Sequence, residues 1–247
     1  MDMFKEISFF SFIKHLEELR SRLIKSILAW LAATGIFYQF FIDRFLAFVI
    51  KPVHHIVFTS PSEAFTARLN LTFLGGFLFA LPVILYQLWQ FVAAGLTIEE
   101  RKHVVLFGPL SAVFFILGEV FAYFCMLPFS LRFLLSFSSD LIVPMITVDK
   151  YISFVTNEML SCGVVFELPL ILAFLTKIGI ATPEFMRQKR RYVIVAIFIV
   201  SAIITPPDVA SQLLLAVPLV VLYEVGILFS QLVFSRQKQA PLINSSV

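Results

Sequence analysis

LNLTFLGGFLFALPVILYQLWQFV, residues 69–92, decides the class of this chain. The run holds no Asp, Glu, Lys or Arg. A hydrocarbon core about 30 Å thick is crossed by roughly 20 apolar residues of helix, so this segment is long enough to span a bilayer. Pro82 lies inside it. Proline is tolerated there because neighbouring groups satisfy the carbonyl it frees, and it marks a kink.

Working outward, five further apolar runs appear, at about 23–42, 104–127 (ended by Pro128), 151–175, 192–205 and 211–234. Composition agrees. Hydrophobic residues make up 60% of the 247, charged residues 14%, and mean hydropathy is +0.94, whereas an ordinary soluble domain is roughly 25% charged. The expected fold class is therefore an all-α membrane protein with six transmembrane helices in one polytopic domain, residues 1–247. No cleavable signal peptide is evident, because the apolar stretch at 9–13 is short and followed by charges.

Lys and Arg set the orientation. With both termini on the cytoplasmic side, 14 of the 19 Lys and Arg residues fall on that side. The positive-inside rule thus gives N-in/C-in. The two longer outer connections, 43–68 and 128–150, contain Phe, Leu, Val and Pro, and short helices are expected there as a periplasmic cap. The last outer connection, Thr205-Pro206-Pro207-Asp208, is tight. Pro206, Pro207 and Asp208 suit the start of a helix, so spans five and six should form a close hairpin. The fifth apolar run, 193–204, reaches only about 18 Å, and such a short span thins the membrane or sits protected by neighbours.

Four places hold polar groups of interest. Near the N-terminus, Phe12, Leu16, Leu19 and Leu23 form one helical stripe, while Glu17–Arg20 and Glu18–Arg22 have favourable ion-pair spacing. This reads either as an amphipathic helix on the membrane surface or as a binding site. In the loop 95–103, Thr97 and Glu100 fit a capping box, and Glu100 also belongs to an acidic cytoplasmic patch. Glu167 is a carboxyl group amid an apolar span, either functional or bonded to a carbonyl freed by Pro169. Asp208 and Gln212 are one turn apart and able to bond each other. Glu119, Glu158 and Glu224 also fall in or near spans.

No glycine-rich phosphate loop, H-E-x-x-H or G-x-S-x-G is present. The four His are scattered, and Cys125 and Cys162 lack metal-ligand spacing. No cofactor, metal, enzyme activity or nucleic-acid partner is expected. A proton-coupled small-solute transporter using Glu167 is the alternative class; it calls for inverted repeats, and none is apparent.

Taken together, residues 15–23 (HLEELRSRL), 80–91 (ALPVILYQLWQF), Glu100-Arg101, 121–124 (FAYF), 166–169 (FELP) and Thr205-Pro206-Pro207-Asp208 with Ser211-Gln212 resemble the TatC family of twin-arginine protein translocases. The resemblance covers about residues 12–234. It implies a concave helical bundle in the bacterial inner membrane, acting as the core receptor for twin-arginine signal peptides. Folded cargo then crosses with single-span TatA-type and TatB-type partners, in an oligomeric complex embedded in membrane lipid and driven by the proton-motive force. By resemblance, Glu18 and Glu100 engage the two arginines, with Arg20 and Phe91 as further recognition positions. Glu167, Asp208 and Gln212 match functional polar positions of the spans, and Pro52 matches a proline of the first outer loop. Two carboxylates beside an arginine pair make charge-assisted, bidentate bonds that lysine fits less well. The chain departs from the family pattern at 91–96 (FVAAGL), where a proline is usual, and at Glu17, Glu119 and Glu158.

Overall fold

The computed structural model describes residues 2–53, 56–96, 98–139, 143–205 and 208–243, with side chains at 15–53, 56–96, 101, 107–139, 143–205 and 208–235. Among the described residues nine α-helices follow one another: α1 (Asp2–Phe40), α2 (Ile42–Ile50), α3 (Pro61–Ala94), α4 (Ile98–Phe121), α5 (Leu127–Leu135), α6 (Val148–Phe166), α7 (Leu168–Lys177), α8 (Pro183–Ile204) and α9 (Val209–Ile243). A π-helical turn, Ala122–Met126, joins α4 to α5. Five helical stretches among the described residues are long and apolar enough to cross a membrane: His15–Phe40, Pro61–Ala94, Phe107–Leu135, Val148–Lys177 and Val209–Ser235. The fifth apolar run lies in α8, whose first half carries Arg187, Lys189, Arg190 and Arg191 and leaves only a short apolar remainder. The chain is an all-helical, multi-pass membrane protein.

Its residues divide into two compact units, one formed by 1–54 and 58–112 and the other by 55–57 and 113–247. In the first, α1 and α3 pack antiparallel: His15 meets Phe91, Arg22 meets Gln87, and Thr34 and Phe37 meet Gly76 and Gly75. The contact at Gly76 is backbone-close. A Cβ there would stand 2.5 Å from the Thr34 Cα, so only glycine permits this approach. The start of α3 is specified by Ser60, whose side chain accepts from the Ser62 N–H, by Pro61 in the first turn, and by Glu63, which accepts from the Thr59 N–H at 3.0 Å. The short helix α2 falls in the first outer connection and is tied to α3 by the Arg68–Asp43 pair at 2.7 Å.

In the second unit, α7 and α8 both pack on α9. Tyr223 donates to the Met186 carbonyl at 2.8 Å, and Arg190 pairs with Glu224 at 2.7 Å. Helices α4 and α6 touch at Gly118, where a Cβ would lie 2.6 Å from the Cys162 carbonyl oxygen. Pro128 does not end the third helical run. The Leu127 N–H bonds back to the Ala122 carbonyl, a five-residue step, and helix continues through Pro128 to Leu135. The wider turn leaves room for the proline ring and uses up the register its missing N–H would have broken. Val57 bridges to the chain before α6: its N–H bonds the Ile146 carbonyl at 3.1 Å, and its carbonyl accepts from Val148 at 2.9 Å.

Candidate functional site

In the first unit, α1 turns a polar edge toward α3. Arg22 donates to Glu18 Oε1 at 3.2 Å and to Gln87 Oε1 at 3.0 Å. One turn earlier, the His15 ring stacks on Phe91 with centroids 4.6 Å apart. Between them runs a groove of about 170 Å³ lined by Leu19, Arg22, Leu23, Ser26, Ile84, Gln87, Leu88 and Phe91. Its wall is almost wholly apolar, and the Glu18 carboxylate, 31% exposed, pairs with the lining residue Arg22. Leu16, Leu19 and Leu23, the stripe read as the apolar side of an amphipathic helix, are exposed on α1. In a bilayer the outward side of a helix is the apolar one and a polar seam turns to a partner helix, which inverts the pattern of a soluble protein. Nor is α1 broken into a surface helix and a span, since it is continuous from Asp2 to Phe40.

Phe91 lines this groove, and Glu18 is linked to it through Arg22. Arg20 lies on another face of α1, with Glu17, Ser21, Ile24 and Lys25. Glu100 is in the first turn of α4; its side chain, like Thr97, lies outside the described residues. Pro82 is inside α3, and Pro52 is in the turn closed by the Val53 N–H to Ile50 carbonyl bond at 2.9 Å. Pro206 and Pro207 also fall outside the described residues.

The polar positions of the second unit are separate features. Glu167 is buried at the break between α6 and α7: its N–H bonds the Val164 carbonyl at 3.1 Å, and its carbonyl accepts from Leu170 and Ile171 at 3.0 Å. Pro169, with no N–H, occupies the first turn of α7. Asp208 caps α9, accepting the Ser211 N–H at 2.6 Å. Gln212 does not turn to Asp208; its side-chain amide donates to the Phe198 carbonyl of α8 at 3.0 Å and fastens the hairpin. Glu119 and Glu158 are buried, and no oxygen of either finds a hydrogen-bond partner among the described residues. Among those residues no cluster of His, Cys, Asp and Glu suits a metal.

The sequence profile described as Sec-independent protein translocase protein (TatC) matches residues 14–218. This chain belongs to the TatC family. The Sec-independent protein translocase protein TatC of Carboxydothermus hydrogenoformans is 40% identical over 91% of the chain and 94% of its own length. That of Aquifex aeolicus is 38% identical over 92% and 97%. A crystal structure of the twin-arginine translocase receptor TatC superposes with a TM-score of 0.75 and 39% identity, covering 89% of this chain and 99% of that one.

For a TatC chain, sequence reasoning singled out the acidic member of the groove but missed two of its parts. Gln87 and His15 fall in the blocks 80–91 and 15–23 that carry the family resemblance, but neither was given a role of its own. The available signal was spacing: Glu18 and Arg22 are four apart, and His15, Glu18 and Arg22 share one face of α1.

Proposed function

We propose that this TatC chain receives the signal peptide of twin-arginine cargo in the groove between α1 and α3, with one arginine at Glu18. The observation that carries this reading is that the Glu18 carboxylate is already in contact with a guanidinium. Arg22 lies between Glu18 and Gln87, an acid and an amide oxygen, in the arrangement an incoming arginine would use. Phe91 flanks the same groove, and the apolar wall of Leu19, Leu23, Ile84 and Leu88 suits the hydrophobic stretch that follows the arginines. Glu100 is assigned the second arginine by family resemblance, and Arg20 a contact with the peptide or a partner outside the groove. Glu167, Asp208 and Gln212 serve the transport step, in which TatA-type and TatB-type single-span proteins assemble with this chain and the proton-motive force moves folded cargo across the bacterial inner membrane.

The test is photocrosslinking of a twin-arginine signal peptide to probes placed at Leu19 and Leu88. Strong crosslinks for the arginine pair and weak ones for a lysine pair are expected. Equal yields for both peptides would remove arginine recognition from this groove.

A further inference from the structure

The first half of α8 carries Arg187, Lys189, Arg190 and Arg191, of which only Arg190 pairs with an acid among the described residues. Arg190 is held by Glu224, and Arg187 faces Gln231 of α9. Lys189 and Arg191 have no carboxylate within ion-pair reach among the described residues. They are held instead on aromatic rings. Lys189 Nζ lies 5.6 Å from the centroid of Tyr192 and 5.8 Å from that of Phe185. Arg191 lies 4.8 Å above the Tyr192 ring and donates to its hydroxyl at 3.0 Å. Ring contact holds both charges in place without cancelling them. Glu184, in the first turn of α8, is the acid nearest in sequence and forms no ion pair among the described residues.

What continues from this cluster is equally specific. Phe185, Lys189, Tyr192, Val195, Ile199 and Ile203 recur at four, three, three, four and four residues, which is one face of the helix. The five apolar or aromatic members are each more than half exposed. That face thus carries Lys189 beside the Tyr192 ring, over which Arg191 reaches from the adjoining side of the helix, and continues into an open aliphatic strip. An anionic phospholipid has the same order of chemistry, with phosphate first and acyl chain after.

We propose that this face of α8 is a binding site for one anionic phospholipid, its phosphate between Lys189 and Arg191 and an acyl chain along Val195, Ile199 and Ile203. The strip is a groove for lipid, not for a second copy of the chain. A like copy would bring its own Lys189 and Arg191 against these two.

The test uses the full chain in nanodiscs of equal parts phosphatidylglycerol and phosphatidylcholine, with co-released lipids counted by native mass spectrometry. The wild-type protein should carry phosphatidylglycerol in excess, with roughly fivefold of the enrichment lost for each cation removed. K189Q/R191Q should then approach parity, while K189R/R191K and the charge-matched control R44Q/R132Q keep the excess. Parity in the wild-type protein would overturn the proposal. So would unchanged enrichment in K189Q/R191Q, equal loss in the control, or a change confined to the dimer fraction.

Discussion

Arg22 bridges Glu18 and Gln87, with Nη2 3.2 Å from the carboxylate of one and Nη1 3.0 Å from the amide oxygen of the other. The residue proposed to receive the signal peptide is therefore occupied by a guanidinium of the same chain. An incoming arginine has to share the carboxylate or displace Arg22. The displacement is cheap, because a half-exposed pair of this kind contributes about 0.2–1 kcal/mol.

Removing the competitor should strengthen binding. Arg22→Gln keeps much of the side-chain bulk and frees Glu18. A labelled twin-arginine peptide should bind this variant roughly threefold tighter by fluorescence anisotropy, within the worth of an exposed ion pair. Weaker binding would mean that Arg22 holds Glu18 ready for the peptide instead of blocking it.

The α1–α3 seam depends on Gly76. Its substitution by Ala places a Cβ 2.5 Å from backbone at Thr34, which cannot swing aside as a side-chain tip would. Overpacking of this sort costs about 1–3 kcal/mol. The thermal midpoint of Gly76→Ala in detergent should fall by several degrees. Gly35→Ala is the control: no atom lies within 4 Å of a Cβ at that position, and the substitution should hold or slightly raise the midpoint, since Ala is the better helix former.

Glu158 lies 2% exposed with neither carboxyl oxygen hydrogen-bonded among the described residues. A buried polar group without a partner costs about 1–3 kcal/mol. Glu158→Leu should raise the thermal midpoint, and Glu158→Gln, which keeps polar atoms in place, should raise it less. A lowered midpoint for the Leu variant would show that the acid contributes to packing.

Export should depend on the short apolar remainder of α8. Four Leu inserted after Val195 add about 6 Å of helix and reduce the mismatch with the bilayer. If local thinning eases the passage of cargo, export of a twin-arginine reporter drops while the protein level stays constant. Undiminished export would dismiss the thinning account.

Much of the architecture was legible because the bilayer imposes a simple demand. Residues 69–92 are apolar, uncharged and long, and a helix is the economical way to satisfy their backbone. The close pairing of α8 and α9 was legible from the short connection between them, although Gln212 turned out to bond α8. The burial sense of α1 was not. Leu16, Leu19 and Leu23 form a regular stripe, but periodicity reports only that two faces differ, and whether the apolar face meets lipid or protein depends on the surrounding medium. The π turn before Pro128 was also hidden, since a five-residue hydrogen-bond step leaves no composition signature. In the candidate site, charge and spacing treated Glu17 and Glu18 alike, and the family resemblance picked out Glu18. Gln87 became visible only when α3 was laid against α1.

The most direct test compares twin-arginine and twin-lysine signal peptides on the wild-type chain and on Glu18→Gln, with affinities read by anisotropy in one detergent. A guanidinium loses about 1.5–3 kcal/mol when a charged hydrogen-bond partner becomes neutral. The account expects the wild-type chain to prefer arginine, and Glu18→Gln to lose roughly tenfold for the arginine peptide and little for the lysine peptide. Equal affinities of Glu18→Gln and the wild-type chain for the arginine peptide would contradict it.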